Sequence, residues 1–153
     1  VTPAPMSAYL LNLGLESLHV RMKRHCENGL AVAKFLEASD KIEWVTYAGL
    51  ENDKYHKLAE KYLPNGTCGV VSFGVKGGRK AAEEFMKKLK LIAIETHVAD
   101  ARSCCLHPAS ATHRQMNDAE LEACGITNNL VRLSCGLENA EDLIADIKQA
   151  LGE

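Results

Sequence analysis

Arg132 sits in a setting that asks for an explanation. It lies within Leu130-Val131-Arg132-Leu133-Ser134-Cys135-Gly136, an apolar run that reads as a strand. A cation there is costly unless its guanidinium meets an anion or several acceptors. If it does, the planar fork makes a bidentate clamp for a carboxylate or a phosphate. The other reading is an edge-strand arginine whose head reaches water. The residues alone leave both open. A second stretch, His107-Pro108-Ala109-Ser110-Ala111-Thr112-His113, puts proline and then small hydroxylated residues after an apolar segment. A strand end opening into such a loop is a usual place for ligand contacts. Pattern alone favours a plain turn, with Ser110 and Thr112 bonding to their own backbone.

Other chemistry is less well supported. Cys104, Cys105, His107 and His113 are metal-ligand types close together, but adjacent strand residues point to opposite faces, so Cys104 and Cys105 cannot easily share an ion. No metal site is expected. Nothing around either cysteine marks it as an activated nucleophile. Gly74-Val75-Lys76-Gly77-Gly78 lacks phosphate-loop spacing and reads as a strand-to-helix turn. The twelve lysines fall mainly on polar helix faces, none in a serine- or threonine-rich loop suited to a Schiff base. The six cysteines form no CxxC pair. They read as small apolar fillers in a protein of the reducing cytoplasm.

These residues need a scaffold, and the chain has the composition for one. Of its 153 residues 46% are hydrophobic and 25% charged, the balance of a globular domain rather than a disordered or collagen-like chain. The net charge of −2 leaves no basic stripe for nucleic acid. No apolar run is long enough to span a bilayer, and Val1 to Ser7 does not have the pattern of a signal peptide. The spacing predicts one long helix, kinked if Gly14 breaks it, from the Pro3/Pro5 stub to Ser39-Asp40. Leu18, Met22, Cys26, Leu30, Ala33 and Leu36 form its apolar stripe. Strands are expected at Ile42–Ala48, Cys68–Val75, Leu91–Ile94, Cys104–His107 and Leu130–Cys135. In the first, Ile42, Trp44 and Thr46 alternate against Glu43, Val45 and Tyr47. Helices are expected from Asn52-Asp53 to Tyr62, over Arg79–Leu89, after a capping box at Asn117–Glu120, and from an Asn139 cap to Leu151. The order gives one α/β domain: an α+β sandwich with a small, mostly antiparallel sheet, helices packed on it, and a long N-terminal helix.

The chain resembles the C-terminal domain of the Cys/Met-metabolism enzymes that use pyridoxal phosphate, and among them most closely the O-acetylhomoserine sulfhydrylases. The resemblance runs through Leu13-Gly14-Leu15-Glu16-Ser17-Leu18, Arg21-Met22-Lys23-Arg24-His25, His97-Val98-Ala99-Asp100-Ala101-Arg102-Ser103, the His107–Gln115 stretch, Val131–Glu138 and Asp142–Ile147, in order and at family spacing. It implies a fold-type I small domain spanning residues 1–153, with residues 1–38 linking to a preceding cofactor domain. That domain would carry the imine-forming lysine, the phosphate cup, the ring-stacking aromatic and the aspartate beside the pyridine nitrogen. This segment alone is then expected to hold no cofactor and to be inactive.

The resemblance also assigns a site. Arg132 matches the arginine that grips the substrate α-carboxylate, and Thr112 matches a residue near it. His97 stands where the family often has serine in a Ser-Leu-Gly motif, so its ring or only backbone groups would make the second contact. The implied partners are the preceding domain, an amino-acid substrate and, for the complete enzyme, further copies in a tetramer. Cystathionine γ-synthase and methionine γ-lyase share most of these motifs. A free-standing amino-acid-binding module and a purely structural domain are the readings of other classes. An exposed apolar first helix favours the enzyme segment, a closed pocket around Arg132 the module, and an Arg132 pointing into open water the structural domain.

Overall fold

Among the described residues the apolar periodicities resolve into six helices and five strands. The computed structural model describes residues 2–153; Val1, which belongs to the expected domain and stub, lies outside the described residues. In chain order the elements are α1 (Pro5–Glu16), α2 (Leu18–Ala38), β1 (Ile42–Thr46), α3 (His56–Tyr62), β2 (Val70–Val75), α4 (Gly78–Lys88), β3 (Ala93–Ile94), β4 (Cys104–Leu106), α5 (Asp118–Ala123), β5 (Leu130–Ser134) and α6 (Ala140–Leu151). The strands form one sheet in the order β1-β2-β5-β4-β3. Every pairing is antiparallel except β3 with β4. The expected α/β architecture is therefore present.

One face of the sheet carries the core. Register pairs Val71 with Leu133 and Phe73 with Val131, and Cys105 joins them from β4 opposite Leu133. Val32, Ala33 and Leu36 of α2, Ala82 and Phe85 of α4, and Leu143 and Ile147 of α6 cover this row. Phe73 and Phe85 meet edge to face, with ring centroids 5.8 Å apart, a favoured aromatic geometry. The turn from β2 into α4 runs through Gly77 and Gly78, with φ of 104° and 72°. Two successive left-handed residues are costly for any side chain, which is why glycine stands there.

Several details differ from the sequence expectation. The N-terminal run is two helices, and the break falls at Ser17 rather than Gly14. Arg21 reaches back and donates to the Gly14 carbonyl, satisfying one of the carbonyls left open at the end of α1. The buried stripe of α2 is also rotated: His25, Asn28, Gly29, Val32, Ala33 and Leu36 are buried, while Leu18 is exposed and Met22, Cys26 and Leu30 are only half-buried. The reason is close approach to the 66–69 segment. A Cβ on Gly29 would lie 2.7 Å from the Cys68 carbonyl oxygen. His25 Nδ1 sits 2.6 Å from the Cys135 carbonyl, and Asn28 Nδ2 donates to the carbonyls of Gly136 and Glu138. These bonds fasten α2 to the connection following β5. Finally, a bulge between Ile42 and Trp44 breaks the expected alternation. Beyond it Val45, not Trp44, pairs with Phe73 and packs on the core, because an extra residue reverses the facing of the strand.

Two of the expected caps are present and one is not: α3 begins only at His56, with Tyr55 at its N-cap and no side-chain bond there, so Asn52-Asp53 does not cap it. The Asn117 side chain accepts from the Glu120 N–H at 3.0 Å and Glu120 Oε2 accepts from the Asn117 N–H at 2.8 Å. Asn139 caps α6. Asp146 of α6 takes three backbone N–H groups, from Lys90, Leu91 and Ile92, at 2.9, 3.0 and 2.9 Å. That carboxylate ties α6 to the segment entering β3. Among the described residues no helix is long and apolar enough to cross a membrane.

Candidate substrate-carboxylate site

Part of the other face of the sheet, over β4 and β5, is covered by a loop. Alternation along β5 turns Arg132 and Ser134 away from Val131 and Leu133. Register sets Ser72 and Leu106 beside Arg132, and Cys104 beside Ser134. Over them lies the 95–103 segment joining β3 to β4. Three side chains of the sheet hold its backbone. Arg132 Nη2 donates to the Thr96 carbonyl at 2.8 Å. Cys104 Sγ donates to the His97 carbonyl at 2.9 Å. Ser134 Oγ accepts the Ala99 N–H at 3.0 Å. Ala99 has φ of 57°, the sole non-glycine residue with positive φ among the described residues, and a left-handed alanine is strained. The far end of the loop is equally fixed. Glu138 accepts from the Ser103 N–H at 2.6 Å and from its hydroxyl at 2.8 Å, and Ser103 Oγ accepts the Gly136 N–H at 2.7 Å.

Arg132 is half-buried and makes no ion pair among the described residues. One of its donors is committed to Thr96, which leaves most of the fork unused. His97 follows directly on Thr96, but its ring is engaged elsewhere. Nδ1 lies 3.1 Å from Glu95 and 3.9 Å from Asp100, and the side chain is 63% exposed. Arg102 approaches the other Glu95 oxygen at 3.6 Å. The Asp100 carboxyl is held below its usual range, chiefly by the backbone N–H of Arg102. Burial pushes the Cys104 thiol up, against the opposing pull of the nearby Arg132 charge.

Thr112 lies on the neighbouring 107–113 turn and is exposed, its hydroxyl 2.9 Å from His113 Nδ1. The turn itself is closed by backbone bonds, including Ala111 N–H and His113 N–H to the carbonyls of His107 and Pro108. The hydroxyls do not close it, contrary to the pattern reading: Ser110 bonds instead to the buried His107 ring at 2.8 Å. The other His107 nitrogen lies 2.9 Å from the Asn128 carbonyl, just before β5. A cleft of about 260 Å³ opens beside this turn, lined in part by Leu106, His107, Ser110, Ile94 and Met86.

The structure thus brings Arg132 and the His97 backbone to one loop. No hydrogen bond or ion pair joins the side chains of Arg132, His97 and Thr112 among the described residues. Sequence reasoning missed Ser134, Cys104, Ser103 and Glu138, which hold the loop. Ser134 was readable, since it stands two residues from Arg132 and so shares its face. Cys104 and Cys105 do face opposite sides. No group of three or more His, Cys, Asp or Glu among the described residues is placed to hold a metal ion.

Comparisons with known proteins bear on the family of the chain. A family model described as Cys/Met metabolism PLP-dependent enzyme matches residues 1–152. Homocysteine synthase of Schizosaccharomyces pombe is 45% identical over 147 residues, 96% of this chain and 34% of its own length. Cystathionine gamma-lyase of Bos taurus is 42% identical over 149 residues, 97% of this chain and 36% of its own. A Campylobacter jejuni crystal structure assigned as an O-acetylhomoserine (thiol)-lyase, which carries a pyridoxyl-lysine monophosphate, superposes with a TM-score of 0.91 at 41% identity. It covers 99% of this chain and 36% of that one. The chain therefore spans about a third of the length of the relatives it matches.

Proposed function

Because the chain belongs to the family of pyridoxal-phosphate-dependent enzymes of Cys/Met metabolism, we propose that it is the substrate-carboxylate-binding C-terminal domain of an O-acetylhomoserine sulfhydrylase. Residues 1–153 act as one domain of a longer cytoplasmic chain, and the complete enzyme is a homo-tetramer. Its reaction exchanges the γ-acetate of O-acetylhomoserine for sulfide or a thiol, giving homocysteine or methionine. The observation that carries this reading is Arg132: a half-buried guanidinium with no acidic partner among the described residues and most of its donors uncommitted.

The residues present do not fit covalent attachment of the cofactor. All twelve lysines are exposed, whereas an imine-forming lysine needs a desolvated or otherwise activated setting. The preceding domain is proposed to supply that lysine, so this segment alone is inactive. In a complete enzyme of this family the cofactor supplies the electron sink. This segment contributes position. Arg132 holds the α-carboxylate through two parallel N–H···O bonds, and the fork fixes the rotation of the amino acid as well as its place. Thr112 and His97 flank the clamp. Arg132 moves no proton. The helix α1 supports the division of labour: Met6, Tyr9, Leu10, Leu11 and Leu15 are each at least 58% exposed, and a helix apolar on every side is built to be covered. The six free cysteines fit the reducing compartment.

The test is Arg132→Lys and Arg132→Met in the complete enzyme. KM for O-acetylhomoserine is expected to rise about 100-fold in Arg132→Met, with a smaller loss in kcat. Lysine recovers little, because a point charge does not reproduce the fork. An unchanged KM overturns the assignment. The 42% identity to a γ-lyase favours one second reading, elimination rather than replacement. Assaying sulfide-dependent homocysteine formation against 2-oxo-acid release separates the two.

A further inference from the structure

We propose that Ser134 is a positioning residue that aims Arg132 by fixing the loop on which the guanidinium rests; the inference depends on Arg132 being the carboxylate clamp. Ser134 is 2% exposed, and its hydroxyl oxygen accepts the Ala99 N–H. Ala99 is held at φ 57°, a conformation that persists only when its surroundings impose it. Three residues earlier, Thr96 supplies the carbonyl that receives Arg132 Nη2 at 2.8 Å. Both bonds come from neighbouring residues on the same face of β5. The strand therefore places the loop with Ser134, and the loop in turn places the strand's own Arg132.

The chain of cause is short. Without the Ser134 oxygen the Ala99 N–H loses its partner, and the strained turn relaxes toward negative φ. The Thr96 carbonyl then shifts, and the long, rotamer-rich Arg132 side chain loses the acceptor that fixes one arm of its fork. A freely turning arginine must be ordered again by each ligand, which weakens binding at the carboxylate and nowhere else. Cys104, bonded to the His97 carbonyl at 2.9 Å, adds a second tie between the sheet and the same loop. Ser134 touches no reacting atom, so its effect must appear as lost discrimination for the carboxylate.

The experiment uses the complete holoenzyme and two probes, L-norleucine and pentylamine, which differ only by the α-carboxylate. Calorimetric titration of Ser134→Ala is expected to show L-norleucine bound about tenfold more weakly and pentylamine within about twofold of the parent. Ser134→Thr keeps the hydroxyl and is expected to restore L-norleucine binding. Equal losses for both probes, or no loss for either, overturn the proposal. Thermal unfolding of the same variants identifies general damage, which also counts against it. Arg132→Met run in parallel separates the two levels. If it leaves L-norleucine binding intact, the clamp reading itself is wrong. If it abolishes binding while Ser134→Ala is silent, only the positioning role is lost.

Discussion

The two faces of this sheet are made from the same strands and serve opposite ends. On the helix-covered face Val71, Phe73, Val131 and Leu133 are at most 1% exposed and belong to one apolar cluster. On the loop-covered face, one residue out of step, stand Ser72, Arg132, Ser134 and Cys104. The first face makes non-directional contacts, whose strength follows the area removed from water. The second adds contacts fixed in direction: Arg132, Ser134 and Cys104 each bond a single backbone atom of one loop. The lesson is that alternation lets five residues of β5 carry both the core and the site. Damage to each should show in a different measurement.

The largest effect should come from the helix-covered face. Phe73→Ala removes a fully buried ring and its partner contact with Phe85, and is expected to lower unfolding free energy by about 3–5 kcal/mol. Urea denaturation measures this, and affinity for the carboxylate ligand should barely change in the protein that remains folded. A comparable loss of affinity would break the separation of the faces. Next is Gly29→Ala, where the new Cβ meets the Cys68 carbonyl at 2.7 Å. Backbone must move to admit it, at about 1–3 kcal/mol. A neutral result in the same denaturation would show that α2 can slide over the 66–69 segment.

Asp146 comes third. Burial alone would raise its carboxyl pKa, but the N–H groups of Ile92, Lys90 and Leu91 outweigh it and hold the pKa below the ordinary value. A depressed folded pKa means the stabilisation is complete above the unfolded value near pH 4 and fades as pH falls through the lower folded value. Asp146→Asn turns donors against donors, and should cost about 1–3 kcal/mol at neutral pH. It should also flatten the acid limb of a stability–pH curve. The smallest effect belongs to the loop-covered face. Ala99→Gly removes the left-handed strain and should raise the unfolding temperature, by a few tenths to about 1 kcal/mol in free energy. Lower stability would mean that the φ of 57° is not the source of strain there.

Much of this fold was legible because local signals agreed with one another. The capping box at Asn117, the Asn139 cap and the Gly77-Gly78 turn each depend on a few neighbouring residues, and the structure contains all of them. What failed depended on distant partners. No periodicity says that His25 and Asn28 will be buried, because the carbonyls that accept them lie more than a hundred residues away. The bulge at Ile42/Trp44 is likewise a property of the pairing with β2, not of β1 alone. Of the candidate site, Arg132 stood out as a charge in an apolar run. The loop above it did not, since its ties join positions 96, 97 and 99 to 132, 104 and 134.

The core-facing sulfurs turn the two faces into a clock. Burial pushes the Cys135 thiol up to about 12 and raises Cys105 as well, so at neutral pH almost none of either is the reactive thiolate. Cys124, just beyond α5, is exposed. Added to the native protein, a thiol reagent should mark Cys124 at once, then wait for the core to open before it reaches the other two. With reagent concentrated enough that labelling outpaces reclosing, the interval between those events reads the frequency of that opening, without denaturant and without any engineered probe.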